Sequence, residues 1–306
     1  MPTAAFSPDL AHDEALAHRP RLLGLAYRML GDVAEAEDVV QEGYLRWLEM
    51  APPQRAAIRA PEGWFVTVVT RIALDRLRRA RTARAAYTGP WLPEPVAVLP
   101  SDGAPPDHAA EVASDLSLAL LVLLERLAPE ERAAFLLREV FDSDYDDIAR
   151  ILGKRPEAVR KAVHRARRRV REERPRIASS PEARERVLGD FVAALGDDDP
   201  ERLLALLAPD VVLTSDSGGR VGAARRPVRG ALRVSRFLFG VRRKFGADWT
   251  HRPGMLNGEP ALLTFSDGTL HTVTFIATDG ARVTSVYSVR NPDKLRHALA
   301  SPIALR

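Results

Sequence analysis

Residues Tyr145 to Arg169 read YDDIARILGKRPEAVRKAVHRARRR, and no other stretch of the 306-residue chain limits the fold as tightly. A short amphipathic helix carries Ile148, Ala149, Ile151 and Leu152. Gly153 supplies a turn in which φ can be positive. Pro156 suits the first turn of a second helix, and Glu157 adds a negative charge at that positive end. Ala158, Val159, Ala162, Val163 and Ala166 give the second helix a small apolar inner face. Arg160, Lys161, His164, Arg165, Arg167, Arg168 and Arg169 cover the rest. This is the pattern of a helix-turn-helix whose second helix enters a DNA major groove.

Charge is placed rather than spread. The net charge is only +4, yet Arg150–Arg176 holds twelve Arg and Lys against three acids. Arg71–Arg84 holds six Arg against Asp75 alone. Two basic fields on a balanced chain suit phosphate contact better than a general polycation does. The absence of cysteine excludes disulfides and thiolate metal sites. No cofactor and no metal is expected. No apolar run approaches membrane-spanning length, so a cytoplasmic protein without a membrane anchor is the expectation.

Three blocks follow from periodicity. The first, residues 8–87, reads as all-helical. One helix carries Leu16, Leu22, Leu23, Leu25, Ala26, Tyr27 and Leu30 and stops at Gly31. Asp32 and Glu35 form a capping-box pair for the next, which turns Val39, Val40, Tyr44, Trp47 and Leu48 inward. Its outer face holds Glu37, Asp38, Gln41 and Glu42. Met50–Pro61 reads as a loop. A third helix from Glu62 turns Phe65, Val66, Val69, Ile72, Ala73 and Leu77 inward and its arginines outward. Residues 88–110 form a Pro-rich linker, in which helix and central strand are both implausible. Its WLPEP segment (Trp91–Pro95) puts a large ring in a stiff, extended setting, which favours a docking peptide.

The second block, residues 111–175, has helices at Ala113–Arg126 and Pro129–Glu139 before the helix-turn-helix. The third, residues 181–301, opens with helices Glu182–Leu195 and Pro200–Leu207. Strand Val211–Thr214 and a turn at Asp216–Arg220 come next, then helix Ala231–Phe245. Strand candidates follow at Met255–Leu256, Ala261–Phe265, Thr269–Ala277 and Arg282–Val289. Turns at Asn257-Gly258, Asp267-Gly268 and Asp279-Gly280 signal hairpins. The third block is thus expected to be α+β, with helices packed on a curved antiparallel sheet. Asp210, Asp216, Trp249, His251, His271 and Tyr287 are its candidates for acid–base chemistry, though nothing in the sequence pairs them.

The motifs AEDVVQEGYLRW (Ala36–Trp47), ALDRLRRAR (Ala73–Arg81) and Leu127–Val170 together resemble regions 2 and 4 of the extracytoplasmic-function (ECF) sigma factors of bacterial RNA polymerase. The third block resembles SnoaL-like, cystatin-type cone domains, which a subgroup of these factors carries fused at the C-terminus. Three further segments are similar to that subgroup. They are WLPEP, the glycine motif Asp216-Ser217-Gly218-Gly219-Arg220, and Asn291-Pro292-Asp293-Lys294-Leu295. Two positions depart from the pattern. Arg71 stands where Asn is frequent, and Ser217 and Arg220 stand for Gly and Lys.

The resemblance implies a multidomain protein that binds core polymerase, through its clamp and flap, and promoter DNA. Its activity would be controlled by the fused domain. Asp38, Gln41 and Glu42 would grip the polymerase. Trp64, Arg71, Arg76, Arg78 and Arg79 would contact the −10 element and assist melting. Arg155, Glu157, Arg160, Lys161, His164, Arg165 and Arg168 would serve the −35 element. Trp91, Pro93, Glu94, Asp216, Gly218, Gly219, Arg220, Asn291, Pro292, Asp293 and Lys294 would form a regulatory contact between domains, tipped by an unidentified ligand or protein. No enzymatic activity is implied. The rival reading is a conventional DNA-binding regulator with a ligand-sensing or enzymatic C-terminal domain.

Overall fold

A computed structural model describes residues 17–98, 116–173, 179–246 and 248–299. The proposed domain ends at 8–16, 111–115, 174–175 and 300–301 lie outside the described residues. So do Leu16, linker residues 99–110, the helix start at Ala113, and the side chain of Arg81. The helices are α1 (Arg19–Leu30), α2 (Val33–Glu49), α3 (Pro52–Ala56), α4 (Pro61–Ala85), α5 (Leu118–Leu124), α6 (Pro129–Glu139), α7 (Tyr145–Leu152), α8 (Pro156–Glu173), α9 (Pro181–Gly196), α10 (Pro200–Leu206), α11 (Ala231–Phe245) and α12 (Pro292–Leu295). The strands are β1 (Leu207–Asp216), β2 (Val228–Arg229), β3 (Trp249–Leu256), β4 (Glu259–Ser266), β5 (Thr269–Thr278) and β6 (Val283–Val289). Among the described residues no helix is long and apolar enough to cross a membrane.

The chain divides into two compact units. One takes in residues 17–80 and 127–166, the other 81–98, 116–126, 167–173, 179–246 and 248–299.

The first unit is helical. Pro20 lies in the opening turn of α1, and Gly31 ends that helix at φ +69°. Asp32 caps α2 by accepting from the Glu35 amide at 3.0 Å. That helix buries Ala36, Val39, Val40 and Trp47. Leu48, expected inward, is instead 49% exposed. It lies about 100° round the helix from Trp47, which already fills the core position. The expected loop after α2 contains α3, because Pro52 starts a helical turn and the Gln54 side chain accepts from the Ala51 amide. Phe65, Val66, Val69, Ile72, Ala73 and Leu77 of α4 are buried, as their spacing predicts. In the helix-turn-helix, Gly153 closes α7 at φ +63° and Val159, Ala162, Val163 and Ala166 of α8 are buried. Ala158, one position off that stripe, is exposed, which corrects its inner-face assignment.

In the second unit a six-stranded sheet runs β2-β1-β6-β5-β4-β3. Three hairpin-linked strands bring β6 back beside β1, and these two pair in parallel. The expected fully antiparallel sheet is therefore mixed. Asn257-Gly258 and Asp267-Gly268 have positive φ at both positions (+54° and +69°, +49° and +73°), the geometry of tight hairpin turns. β1 and β3 are longer than sequence alone suggested. Pro253 and Gly254 mask β3, and both are tolerated because β3 lies at the sheet edge. One sheet face packs against α9, α10 and α11 through Leu188, Phe191, Leu203, Leu213, Val234 and Val286. The other, with Phe265, Val273, Phe275 and Val289, buries Leu92 of the linker and Leu118 of α5.

Candidate nucleic-acid interface and linker-docking site

In the first unit the exposed basic face of α8 holds Arg155 just before it, then Glu157, Arg160, Lys161, His164 and Arg165, all exposed. Arg168, further along α8, is also exposed. Arg160 lies over the Tyr145 ring at 5.4 Å. Arg165 pairs with Glu131 of α6 at 2.6 Å.

Four arginines of α4, Arg71, Arg76, Arg78 and Arg79, are already engaged inside this unit. Arg71 donates to the carbonyls of Ile151 (3.0 Å) and Arg150 (2.9 Å). These are among the last carbonyls of α7, where unsatisfied acceptors and the helix dipole favour a cation. Arg78 pairs with Glu130 at 2.7 Å and Asp75 at 3.0 Å. Arg76 reaches the acidic row of α2, at 2.9 Å from Glu35, 3.6 Å from Asp38 and 3.4 Å from Glu42. Arg79 bonds the Asp75 carbonyl from an exposed position. Asp38 and Gln41 share a face with Leu45 and Leu48, which are 51% and 49% exposed. Trp64 is half-buried, its ring 5.1 Å from those of both Trp47 and Phe65. It lines a groove of about 720 Å³ with Gly63, Arg71, Phe141 and Ile151.

In the second unit the linker is gripped through a buried carboxylate. Asp216, at the end of β1, is fully buried. Its Oδ1 accepts from the Tyr87 hydroxyl (2.6 Å) and the Gly218 amide (3.0 Å). Its Oδ2 accepts from the Leu92 amide (2.8 Å) and Lys294 Nζ (2.6 Å). Lys294 Nζ also donates to the Leu92 carbonyl at 2.5 Å and lies 3.9 Å from the Trp91 ring centre. Arg84 stacks 3.6 Å from that same ring. A buried charge pair is tolerable when its remaining hydrogen-bonding capacity is met, and here both carboxylate oxygens are. Burial first, then Asp216, raises the Tyr87 hydroxyl well above the ordinary phenol pKa, so it stays a donor.

The other motif residues shape this cradle. Gly218 and Gly219 have φ of +57° and +74°. A Cβ on Gly218 would lie 2.6 Å from Asn291 Nδ2, and one on Gly219 would lie 3.0 Å from Thr88. Asn291 donates to the Tyr87 hydroxyl at 3.0 Å and caps α12, in which Pro292 takes the first turn. Arg220 meets Asp293 at 3.3 Å on the surface. Glu94 is buried with its Oε1 2.6 Å from His297 Nδ1, and Pro93 is buried beside it.

Sequence alone did not point to Tyr87, Val96 or Glu259, and within WLPEP it favoured Trp91 over Leu92. The fully buried anchors of the linker are Leu92 and Val96, whereas Trp91 is half-buried between cations. The Val96 amide donates to Asn257 Oδ1 at 3.1 Å, and the Asn257 amide donates to the Val96 carbonyl at 2.7 Å. Glu259 accepts from the Leu118 amide at 2.7 Å, and burial pushes its pKa up to about 7. Apolar residues in a Pro-rich stretch and a Glu beside a hairpin turn carry no sequence signal of burial.

The acid–base candidates of the third block do not converge. Trp249 and His251 line a cavity of about 400 Å³ between α9, α11 and the sheet. His271 lies 2.9 Å from Arg290. Burial, then Arg242 for His251 and Arg290 for His271, lowers both imidazoles below their ordinary pKa. Asp216 holds the linker instead, Asp210 is exposed, and Tyr287 lines a different pocket with Ala119 and Val122.

Comparison with known proteins adds to this geometry. Residues 15–83 match Sigma-70 region 2 and residues 117–170 match Sigma-70, region 4. The chain is 37% identical over 296 residues to the ECF RNA polymerase sigma factor SigJ of Mycobacterium tuberculosis (strain ATCC 25618 / H37Rv), covering 94% of this chain and 93% of that one. It is 32% identical over 286 residues to the probable ECF sigma factor SigI of the same strain, at 91% and 92% coverage. The crystal structure of SigJ superposes with a TM-score of 0.74, at 34% identity, over 95% of this chain and all of that one.

Proposed function

Because the chain belongs to the ECF family of RNA polymerase sigma factors, we propose that its fused C-terminal domain governs initiation by holding the linker between its two promoter-reading regions. As a sigma factor it binds core polymerase and directs it to promoter DNA to start transcription. A match that spans both sigma regions and the C-terminal block sets aside the reading as an ordinary repressor or activator.

Within that frame, residues 8–87 act as region 2, 88–110 as the regulated linker, 111–175 as region 4 and 181–301 as the SnoaL-like regulator. Asp38, Gln41 and Glu42, with exposed Leu45 and Leu48 beside them, meet the polymerase clamp, and region 4 meets the flap. A polar face with an apolar centre is what a partner helix surface requires. Trp64, Arg71, Arg78 and Arg79 serve the −10 element, while Arg76 positions the acidic row of α2. Arg155, Glu157, Arg160, Lys161 and His164 read −35 bases from the start of α8, and Arg165 and Arg168 hold phosphates. The protein works in the cytoplasm beside polymerase. Its C-terminal domain acts as a regulator rather than an enzyme, a reading that rests on the sigma-factor family of the chain.

The observation that carries the regulatory reading is the Asp216–Lys294 grip on Leu92. The linker joins α4 to α5, so fixing it limits how far the two readers can part. In the resting state Arg71 and Arg78 are spent on region 4 rather than DNA. Lys294→Gln, assayed by transcription from a cognate promoter with core polymerase, should raise initiation several-fold. Unchanged initiation by that variant, with linker release verified by limited proteolysis, would refute control through the linker.

A further inference from the structure

The cavity of the C-terminal domain is lined by a cation that no carboxylate neutralises among the described residues. Its walls are largely apolar, from Phe191, Leu195, Leu213, Leu238, Leu262 and Val286. Arg290, at the end of β6, lines it. Its guanidinium bonds the carbonyl of Gly222 and the ring of His271, and neither partner carries a negative charge. Its Nε is buried without a hydrogen-bond partner. No carboxylate lies within 4 Å of Arg290 among the described residues, whereas Arg242 across the cavity has Asp198 at 3.7 Å. Burial lowers the Arg290 pKa, the direction expected of a cation partly withdrawn from water with no anion beside it.

A charge left in that condition is retained where it has a ligand to meet. The walls fix the rest of the ligand: apolar and compact enough for about 400 Å³, with Thr264, Thr272, Thr274 and Ser288 offering hydroxyls. We propose that this cavity binds a small, largely apolar molecule bearing one carboxylate, which Arg290 grips.

The position of Arg290 gives such a ligand a route to the linker, and this half rests on the regulatory reading above. The Arg290 amide donates to the Asp216 carbonyl at 2.7 Å, and the next amide, of Asn291, donates to the same oxygen at 3.0 Å. Ser215 lines the cavity and the following residue, Asp216, holds Leu92. A carboxylate that draws the Arg290 side chain therefore acts one residue from the grip itself.

The full-length chain should be titrated calorimetrically with naphthalene-2-carboxylate and decanoate, and with the matching alcohols. Both carboxylates should bind more tightly than their alcohols. Arg290→Gln should weaken carboxylate binding about tenfold, the loss of one charge-assisted contact, and leave alcohol binding nearly unchanged. Leu238→Trp, which fills the cavity and leaves Arg290 in place, should abolish both. No binding by any of the four probes at about 1 mM overturns the proposal. So does equal affinity for acid and alcohol, or binding that survives Leu238→Trp. Hydrogen exchange at Leu92 and Val96 should rise in the bound state. Binding without that change would overturn the linkage to the linker and leave the site standing. Transcription is not needed for any of these readings, so their failure is separate from failure of the linker mechanism.

Discussion

Two sets of charged contacts, one within each unit, differ in kind. In the first unit, Arg78 and Glu130 are 47% and 31% exposed at the side chain, and Arg71 is bound to two carbonyls with no acid partner among them. In the second, Lys294 and Asp216 are 8% and 0% exposed. An exposed pair contributes roughly 0–1 kcal/mol and is screened by salt. A buried pair contributes little net stability when intact, but removing one partner strands the other. The first set is thus easily traded for other charged partners, and the second behaves as a latch that is shut or broken.

The largest effect that would break this contrast is predicted for Asp216→Ala. It strands Lys294 and frees the Leu92 and Gly218 amides, so urea unfolding of the second unit should lose about 3–5 kcal/mol. Asp216→Ala with Lys294→Met should recover much of that loss. A single-variant loss below about 1 kcal/mol would put the latch in the same class as the surface pairs.

A middle-sized effect sharpens the comparison through pH. Burial raises Glu259 to about 7, above its unfolded value, so the native state binds more protons between those limits. Stability should therefore fall as pH rises from about 4.3 towards about 7 and then level off. Glu259→Gln should remove that fall and gain up to about 3–4 kcal/mol over the parent at pH 8, with little difference near pH 4. Urea midpoints of parent and variant at both pH values measure it, and a parent–variant difference that is the same at pH 4 and pH 8 would contradict the assignment.

The smallest stability effect is expected from Arg71→Ala and Arg78→Ala. Each should cost less than about 1 kcal/mol in urea. Each should also lower the salt slope of promoter binding by the holoenzyme by about 0.9. Unaltered salt slopes for both would move these arginines out of the DNA interface.

The helical parts were legible because local chemistry and burial agree there. Asp32, Gly31 and Gly153 mark helix ends by their own geometry, and the apolar stripe of α4 is uninterrupted. Legibility failed where tertiary context decides. Pro253 and Gly254 hide an edge strand, and the parallel pairing of β1 with β6 depends on a crossover that no local pattern encodes. In the linker, the aromatic ring of Trp91 drew attention by size, whereas burial falls on Leu92 and Val96. The motif residues Asp216 and Lys294 were identified by resemblance, but that they meet each other over the Leu92 peptide needs the fold.

The long reach of that meeting also sets a schedule. Leu92 must wait for Lys294, 202 residues later in the chain. At ~5–20 residues per second on the ribosome, that is about 10–40 s. Both sigma regions leave the ribosome within that interval, before the residue that closes over the linker has been made. A newly synthesised copy thus has its linker unlatched until that residue has been made, so the Leu92 contact forms only after synthesis has passed both sigma regions.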